Sequence, residues 1–410
     1  MIQIGWIDYS KEHRDRVMSV LDMLATPGAM DELGISVVRD AFADRLFPGL
    51  STLLTRAKYF LIVPWIMREL ECENLQATEF ARRLHQDEIA MIRVLCDSGE
   101  KRDVIGERAR ETLKRKPSDV YWNGLRTFGI FRDSHMSIAN YLAAAHKVNR
   151  ANKDRKVNLL GDESDARDDH DAFAAETIRP FWDALEPPDE WRSQMRFHLS
   201  PDEARFLRDK ILSSPYSKNS LLANIIAQSA ASACECATFD ELSELDMPAD
   251  IRADYDLARA FAQLIYGAHI RYNIAFFESI QQQDKADNVR LEWDKWVSQI
   301  DGFDFGSWDT HQMLSRLRID RNRHAVSFVV RWIDYYARRL REVSDSELDS
   351  FVTRREIQIK GRDRAKIGNW TQFNGDWIGI TRLQYRWPNA RKIVADIEAG
   401  LREQNATTGS

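Results

Sequence analysis

Apolar residues that recur every three or four positions between turn signals can bury a common face only as a helix, and this chain repeats that pattern along much of its length. Ile35, Val38, Phe42 and Leu46 form one such stripe, closed off by Pro27-Gly28 before it and Pro48-Gly49 after it. Val17, Val20, Leu21 and Leu24 form another behind Ser10, a residue type that caps helix starts. Leu257, Phe261, Leu264 and Ile265 repeat the period further on, and the stretches from residue 172 to about 300 and from Trp308 to about Val343 read the same way. The spacing predicts a helix from Asp31-Glu32 to about Phe47. A third helix is expected behind Ser51-Thr52, through Tyr59 towards Pro64. With 18 Gly and 11 Pro in 410 residues, turns are too few for a many-stranded all-β fold. Two short stretches alternate instead, Ile2–Tyr9 and Glu356–Lys360, and are expected as strands. The expected fold is therefore mainly α with a few short β-strands, an α+β chain of several domains.

Hydrophobic residues at 44% and charged residues at 30% indicate a globular chain. The segment Gly161–Asp171 carries six acids and one Arg and reads as a linker. It suggests an N-terminal helical domain over 1–160, a helical middle domain over 161–304 and a C-terminal domain over 305–410. Four Cys are too few for a disulfide framework at this length, and Cys234-Glu-Cys236 lacks the spacing of a zinc knuckle. The N-terminus is charged too early for a secretory leader. The longest apolar run, Tyr59–Met67, is far short of the roughly 20 residues that span a bilayer. A cytoplasmic protein without membrane contact is the expectation; oligomeric state is not legible.

Three segments concentrate chemistry. In 30–65, Asp31, Glu32 and Asp40 are carboxylate candidates beside Arg39, while Arg56 and Lys58 sit inside an apolar run where a charge must pair or face a ligand. An ion pair, for example of Arg56 with Asp40, is the structural alternative. In Arg354–Lys392, ten Lys/Arg face three acids, a surplus of +7 in a chain whose net charge is −6. Arg362, Arg364, Lys366, Arg382 and Arg386 are interleaved there with Trp377 and Trp387. Cations beside planar rings are a common nucleic-acid footprint, and a basic face over an aromatic core is the alternative. In Lys101–Arg132, Arg108 and Arg115 precede Tyr121 and Trp122, a weaker instance of the same pattern.

Several enzyme classes lack their motifs. No GxxxxGK[ST], GxGxxG, GxSxG or HExxH occurs, and no Cys/His set argues for a metal. No cofactor is expected. Glu356 and Lys360 lack the Glu-x-Lys spacing of a nuclease strand. Cleavage of an N-glycosidic bond needs less: one placed carboxylate, a water and a pocket for a flipped base. The carboxylates Asp31, Glu32 and Asp40, the cations Arg39 and Arg56, and the many Trp residues could supply these.

The runs GWIDYS, DELGI…RDAFADRLFPGLSTLLTRAKYFLIVPW, KRKPSDVYWNGLRTFGI and KGRDRAKI…GITRLQYRWPNAR resemble those of a bacterial family of unknown function, domain family 6361, nearly end to end. The resemblance brings no assigned catalytic residues. It implies a place among anti-phage defence proteins and phage DNA as the target, with partner proteins of a defence locus. The function expected is a DNA glycosylase that excises (modified) bases from phage DNA. A non-catalytic DNA-binding subunit that recruits a helicase or nuclease, and a nuclease, remain open as alternatives.

Overall fold

The computed structural model describes residues 31–73, 75–99, 103–145, 181–228, 231–319 and 323–408. Its principal helices are α1 (Ser36–Leu46), α2 (Tyr59–Cys72), α3 (Ala77–Asp97), α4 (Pro117–Thr127), α5 (Pro201–Ser213), α6 (Ala249–Ser279), α7 (Gln283–Asp301), α8 (Arg323–Val330), α9 (Asp345–Lys360) and α10 (Trp387–Thr408). The helix of α8 runs on through a π segment, Arg331–Tyr336, and a 3-10 turn, Ala337–Arg339.

The expectation of an α+β fold is corrected. Among the described residues no strand forms, and the isolated bridge Phe131–Trp182 is the extent of β pairing. Glu356–Lys360 is the last turn of α9, not a strand. Ser344 caps that helix by accepting the Glu347 N–H at 3.3 Å. Leu348, Phe351, Val352, Arg355 and Glu356 are buried at helical spacing, while Ile359 is 39% exposed. A five-residue alternation is too short to outweigh that longer period. The strand expected at Ile2–Tyr9, the helix behind Ser10 and the acidic linker at 161–171 lie outside the described residues.

Helix starts also differ from the sequence reading. The helix expected from Asp31 begins at Ser36, because the Asp31 carboxylate accepts the Ser36 N–H at 2.5 Å and Gly34 turns the chain at φ +64°. The Ser51-Thr52 helix is absent: 51–58 is irregular and α2 starts at Tyr59. Tertiary partners satisfy that segment's amides. Thr55 and Arg56 donate N–H bonds to the Tyr121 hydroxyl at 3.0 Å each, and Ala57 N–H donates to Asp396 at 2.8 Å. Pro64 does not end α2, which continues to Cys72 with most of its residues buried. Burial of an almost wholly apolar helix outweighs the one backbone bond that proline removes.

The chain forms two compact units. The first gathers residues up to Phe42 and Ala253–Tyr385. Its core is built on α6, whose Phe261 meets Phe42 and whose Gly267 lies under the Trp296 ring of α7. A Cβ at Gly267 would stand 2.2 Å from that ring, so only glycine permits the approach. The second unit gathers Ala43–Arg252 and Arg386 onward, with α2 in its interior. Nine of the twelve Trp are buried, which answers what so many are for: they pack. Their indole N–H groups find acceptors, as Trp332 does on Leu264 O and Trp387 on Cys236 O.

Within the second unit, Glu88 of α3 is fully buried and accepts the Ser118 N–H at 2.7 Å. Burial pushes its carboxyl up to about 8 from the ordinary 4.5. A raised folded-state value favours the protonated acid, so this contribution is complete below pH 4.5 and is lost as pH rises towards 8. Glu88→Gln, which keeps the acceptor and cannot ionise, is expected to lose less stability across that window. At ~1.4 kcal/mol per pKa unit the difference is about 4 kcal/mol. Thermal unfolding of both proteins from pH 5 to 8 tests this; parallel curves would refute it.

Candidate active site

In the first unit, four charged side chains from distant parts of the sequence meet in the interior. Glu32 precedes α1; Glu356 and Lys360 lie on α9; Lys366 follows the 3-10 turn Arg362–Arg364. Glu32 and Glu356 are fully buried. Lys366 Nζ donates to Glu32 at 2.6 Å, and Lys360 Nζ bridges Glu32 and Glu356, 2.7 Å from the latter. Glu356 also accepts the Tyr272 hydroxyl at 2.9 Å and the N–H groups of Lys366 at 2.8 Å and Ile367 at 3.2 Å. Two carboxylates thus face two ammonium groups, and nearly every lone pair is used. Burial pushes Lys360 down to about 7, with the charge of Lys366 adding to the effect and Asp31 opposing it. Burial also pushes Lys366 down to about 8, opposed by Glu356.

Asp31 borders this cluster. One of its oxygens caps α1, and the other, Oδ1, is buried with no hydrogen-bond partner among the described residues. Its charge is felt by Lys360, Arg355 and His269. Arg355 reaches back from α9 to the carbonyls of Leu33 at 2.8 Å and Gly34 at 3.4 Å, which fixes the turn that carries Asp31. A Cβ on Gly34 would lie 2.7 Å from that guanidinium, so the glycine serves both its positive φ and this contact. His269 of α6 is 1% exposed, and its Nε2 also lacks a partner. Burial, with Arg39 adding and Asp31 opposing, pushes it down to about 4, so the imidazole is neutral at pH 7. The arrangement leaves one carboxylate oxygen of Asp31 without a hydrogen bond at the border of a charge-balanced cluster.

The other sequence candidates are placed differently. Asp40 is half-buried and pairs with its neighbour Arg39 at 2.9 Å. Glu32 is tied to the two lysines. Arg56 and Lys58 belong to the second unit, where Arg56 pairs with Asp396 at 2.8 Å, not with Asp40, and Lys58 with Glu203 at 2.6 Å. Tyr121 is fully buried and Trp122 packs among Phe131, Tyr141 and Trp182, so neither offers a ring face to solvent. Trp387 is buried against Phe47, and Arg386 bonds Asp44 and Leu50 O. Lys366 is buried as described. Trp377 is half-buried and stacks on Tyr266, which also lies under the exposed Arg382. Arg108, Arg362 and Arg364 are exposed, and Arg115 is half-buried. His269, Tyr272, Arg355, Glu356 and Lys360 were not among the sequence candidates. The legible signal was the i,i+4 spacing of Glu356 and Lys360, which pairs them on a helix but not on a strand. Among the described residues no three His, Cys, Asp or Glu side chains come together as a metal site.

The model of a family of unknown function, DUF6361, matches residues 1–400. The chain belongs to that family. No curated protein matches it, and no solved structure does. No activity therefore comes to this DUF6361 member from a characterised relative, and its chemistry rests on the cluster itself.

Removing one partner of a buried ion pair costs about 3–5 kcal/mol, because the other is left uncompensated. Glu32→Gln and Lys366→Met are each expected to destabilise this DUF6361 member by that order. The double variant should lose less than the sum of the two. Chemical denaturation of all four proteins measures the coupling, and strictly additive losses would refute the pairing.

Proposed function

We propose that the protein is a cytoplasmic, DNA-directed enzyme of anti-phage defence that excises a base from phage DNA. The supporting observation is the Asp31 oxygen that has no donor although it is buried among cations. In this reading a flipped nucleotide presents C1′ of its sugar to Asp31. As the C1′–N bond breaks, its electron pair leaves with the base, and Asp31 stabilises the positive charge developing on the sugar. Water adds at C1′, its proton balances the departing base, and the products are an abasic site and the free base. Arg39 and Lys360 favour the negative charge gathering on the leaving base, and neutral His269 is suited to hold the water. Asp40, paired with Arg39, has no part in this chemistry. Phage DNA is the proposed target, and bases carrying modifications are the first substrates to test.

The experiment incubates the protein with phage DNA of modified and of unmodified bases, then resolves it on a denaturing gel with and without alkali. Breaks that need alkali are expected. Asp31→Asn should slow their formation at least about a hundredfold while retaining the wild-type melting temperature, and Asp40→Asn should leave the rate within about twofold. A folded Asp31→Asn protein with full activity would overturn the assignment. Breaks without alkali would mean a nuclease, and intact DNA a non-catalytic binding subunit.

A further inference from the structure

Many arginines among the described residues pair with carboxylates, as Arg56 does with Asp396, Arg271 with Asp349 and Arg316 with Asp254. Three exposed arginines close together in sequence are held by rings instead. Arg331, Arg338 and Arg339 lie on the π segment and the 3-10 turn that extend α8, and none has an ion-pair partner among the described residues. Each guanidinium is instead laid over an aromatic ring: Arg331 on Phe351 at 5.4 Å, Arg338 on Phe305 at 5.3 Å and Arg339 on Tyr335 at 5.1 Å. A ring under its flat face restrains a guanidinium and leaves its N–H edges pointing outward. Tyr335 itself is 42% exposed. Between them Trp332, Ile333, Tyr336 and Ala337 are buried, and half-buried Asp334 accepts the Thr310 hydroxyl at 2.7 Å, so the arginines are what this stretch offers to solvent beside Tyr335. Exposed Arg354 of α9 joins them, since both it and Arg331 act on the charge of Tyr336. With Asp345 and Asp349 taken up by Arg271, the acids of the strip and its flanks are Asp334, Glu342 and Glu347, three against these four, a surplus of one positive charge.

We propose that this strip is the surface that grips the phosphate backbone of the DNA, a deepening that rests on the DNA-directed reading above. Arg331 and Arg339 are eight residues apart, roughly 12 Å along a helix axis, which matches the rise of three to four base pairs at ~3.4 Å each. Restrained guanidiniums with free edges suit phosphate oxygens, and an exposed Tyr beside them suits a base or sugar face. An anionic bilayer would favour flexible lysines and an apolar anchor, and the strip has neither.

The test titrates duplex and single-stranded DNA, and separately phosphatidylserine vesicles, against the wild type and the Arg331→Ala/Arg338→Ala/Arg339→Ala variant at several salt concentrations. All three side chains are exposed, so the variant is expected to keep its melting temperature. For DNA, the slope of log affinity on log salt should fall by about two to three, near 0.9 per phosphate contact, and affinity at 0.1 M salt should drop at least about tenfold. The triple Arg→Lys variant should keep most of the slope. An unchanged slope in a variant of a protein that does bind DNA overturns the strip and leaves the proposed function standing. A wild type with no salt-dependent DNA binding overturns both. A loss confined to vesicles also overturns the strip, because it assigns the surface to a membrane.

Discussion

The first unit depends on an ionic knot that is stable only when complete. Glu32 and Glu356 are both fully buried, and neither could stay ionised there without Lys360 and Lys366. Taking four charges out of water is costly, and hydrogen bonds from Tyr272 and from the Lys366 and Ile367 amides offset part of that cost. A hydrophobic core of equal volume could hold the elements together as firmly. What the knot adds is register. It fixes the turn at residues 31–35, the end of α9 and the segment after the 3-10 turn against one another, and each piece is needed to compensate the others. Arg355 tightens the same arrangement by bonding Leu33 and Gly34. The proposed catalytic carboxylate is the residue next to Glu32, so the knot positions Asp31 without touching substrate.

The second unit meets the same problem with pairs rather than a knot. Arg56 with Asp396 and Lys58 with Glu203 satisfy charges inside an apolar run, and Glu71 takes hydrogen bonds from Tyr141 at 2.5 Å and Trp182 at 2.8 Å. Burial raises the Glu71 carboxyl, which those donors partly offset. These contacts are saturated and enclosed by rings. Buried polar atoms without a partner occur in both units, Glu88 Oε2 among them in the second; in the first, Asp31 Oδ1 and His269 Nε2 are such atoms on two groups that act on each other electrostatically, and the functional reading is placed there.

The helical period was legible wherever a stripe was long, as at Ile35, Val38, Phe42 and Leu46, all of which are buried. It misled where the window was short, because five alternating residues at 356–360 fit a strand as well as the last turn of a capped helix. Helix starts were misread where a tertiary partner did the capping, as Tyr121 and Asp396 do for 51–58, since such partners lie about 65 and 340 residues away. Of the site, Asp31, Glu32 and Lys366 were legible as charges in suspicious company. His269 and Tyr272 were not, because only packing brings His269 towards Asp31 and Tyr272 onto Glu356, 84 positions away; Glu356 and Lys360 were legible as a helical pair, but not their meeting with Glu32. Of the basic-aromatic candidates, Tyr121, Trp122 and Trp387 are core, because rings this large pack where they can; the ring-supported arginines lie at 331–339, upstream of the segment the charge count singled out.

The buried knot holds the Asp31 turn in place. Hydrogen exchange of the amides at 31–39, compared between the wild type and Lys366→Met, measures this directly. The knot predicts that protection at Ser36 and its neighbours falls at least about tenfold, together with that at Ile367, while α7 keeps its protection. Unchanged exchange at 31–39, or a loss spread evenly over the whole unit, would contradict it.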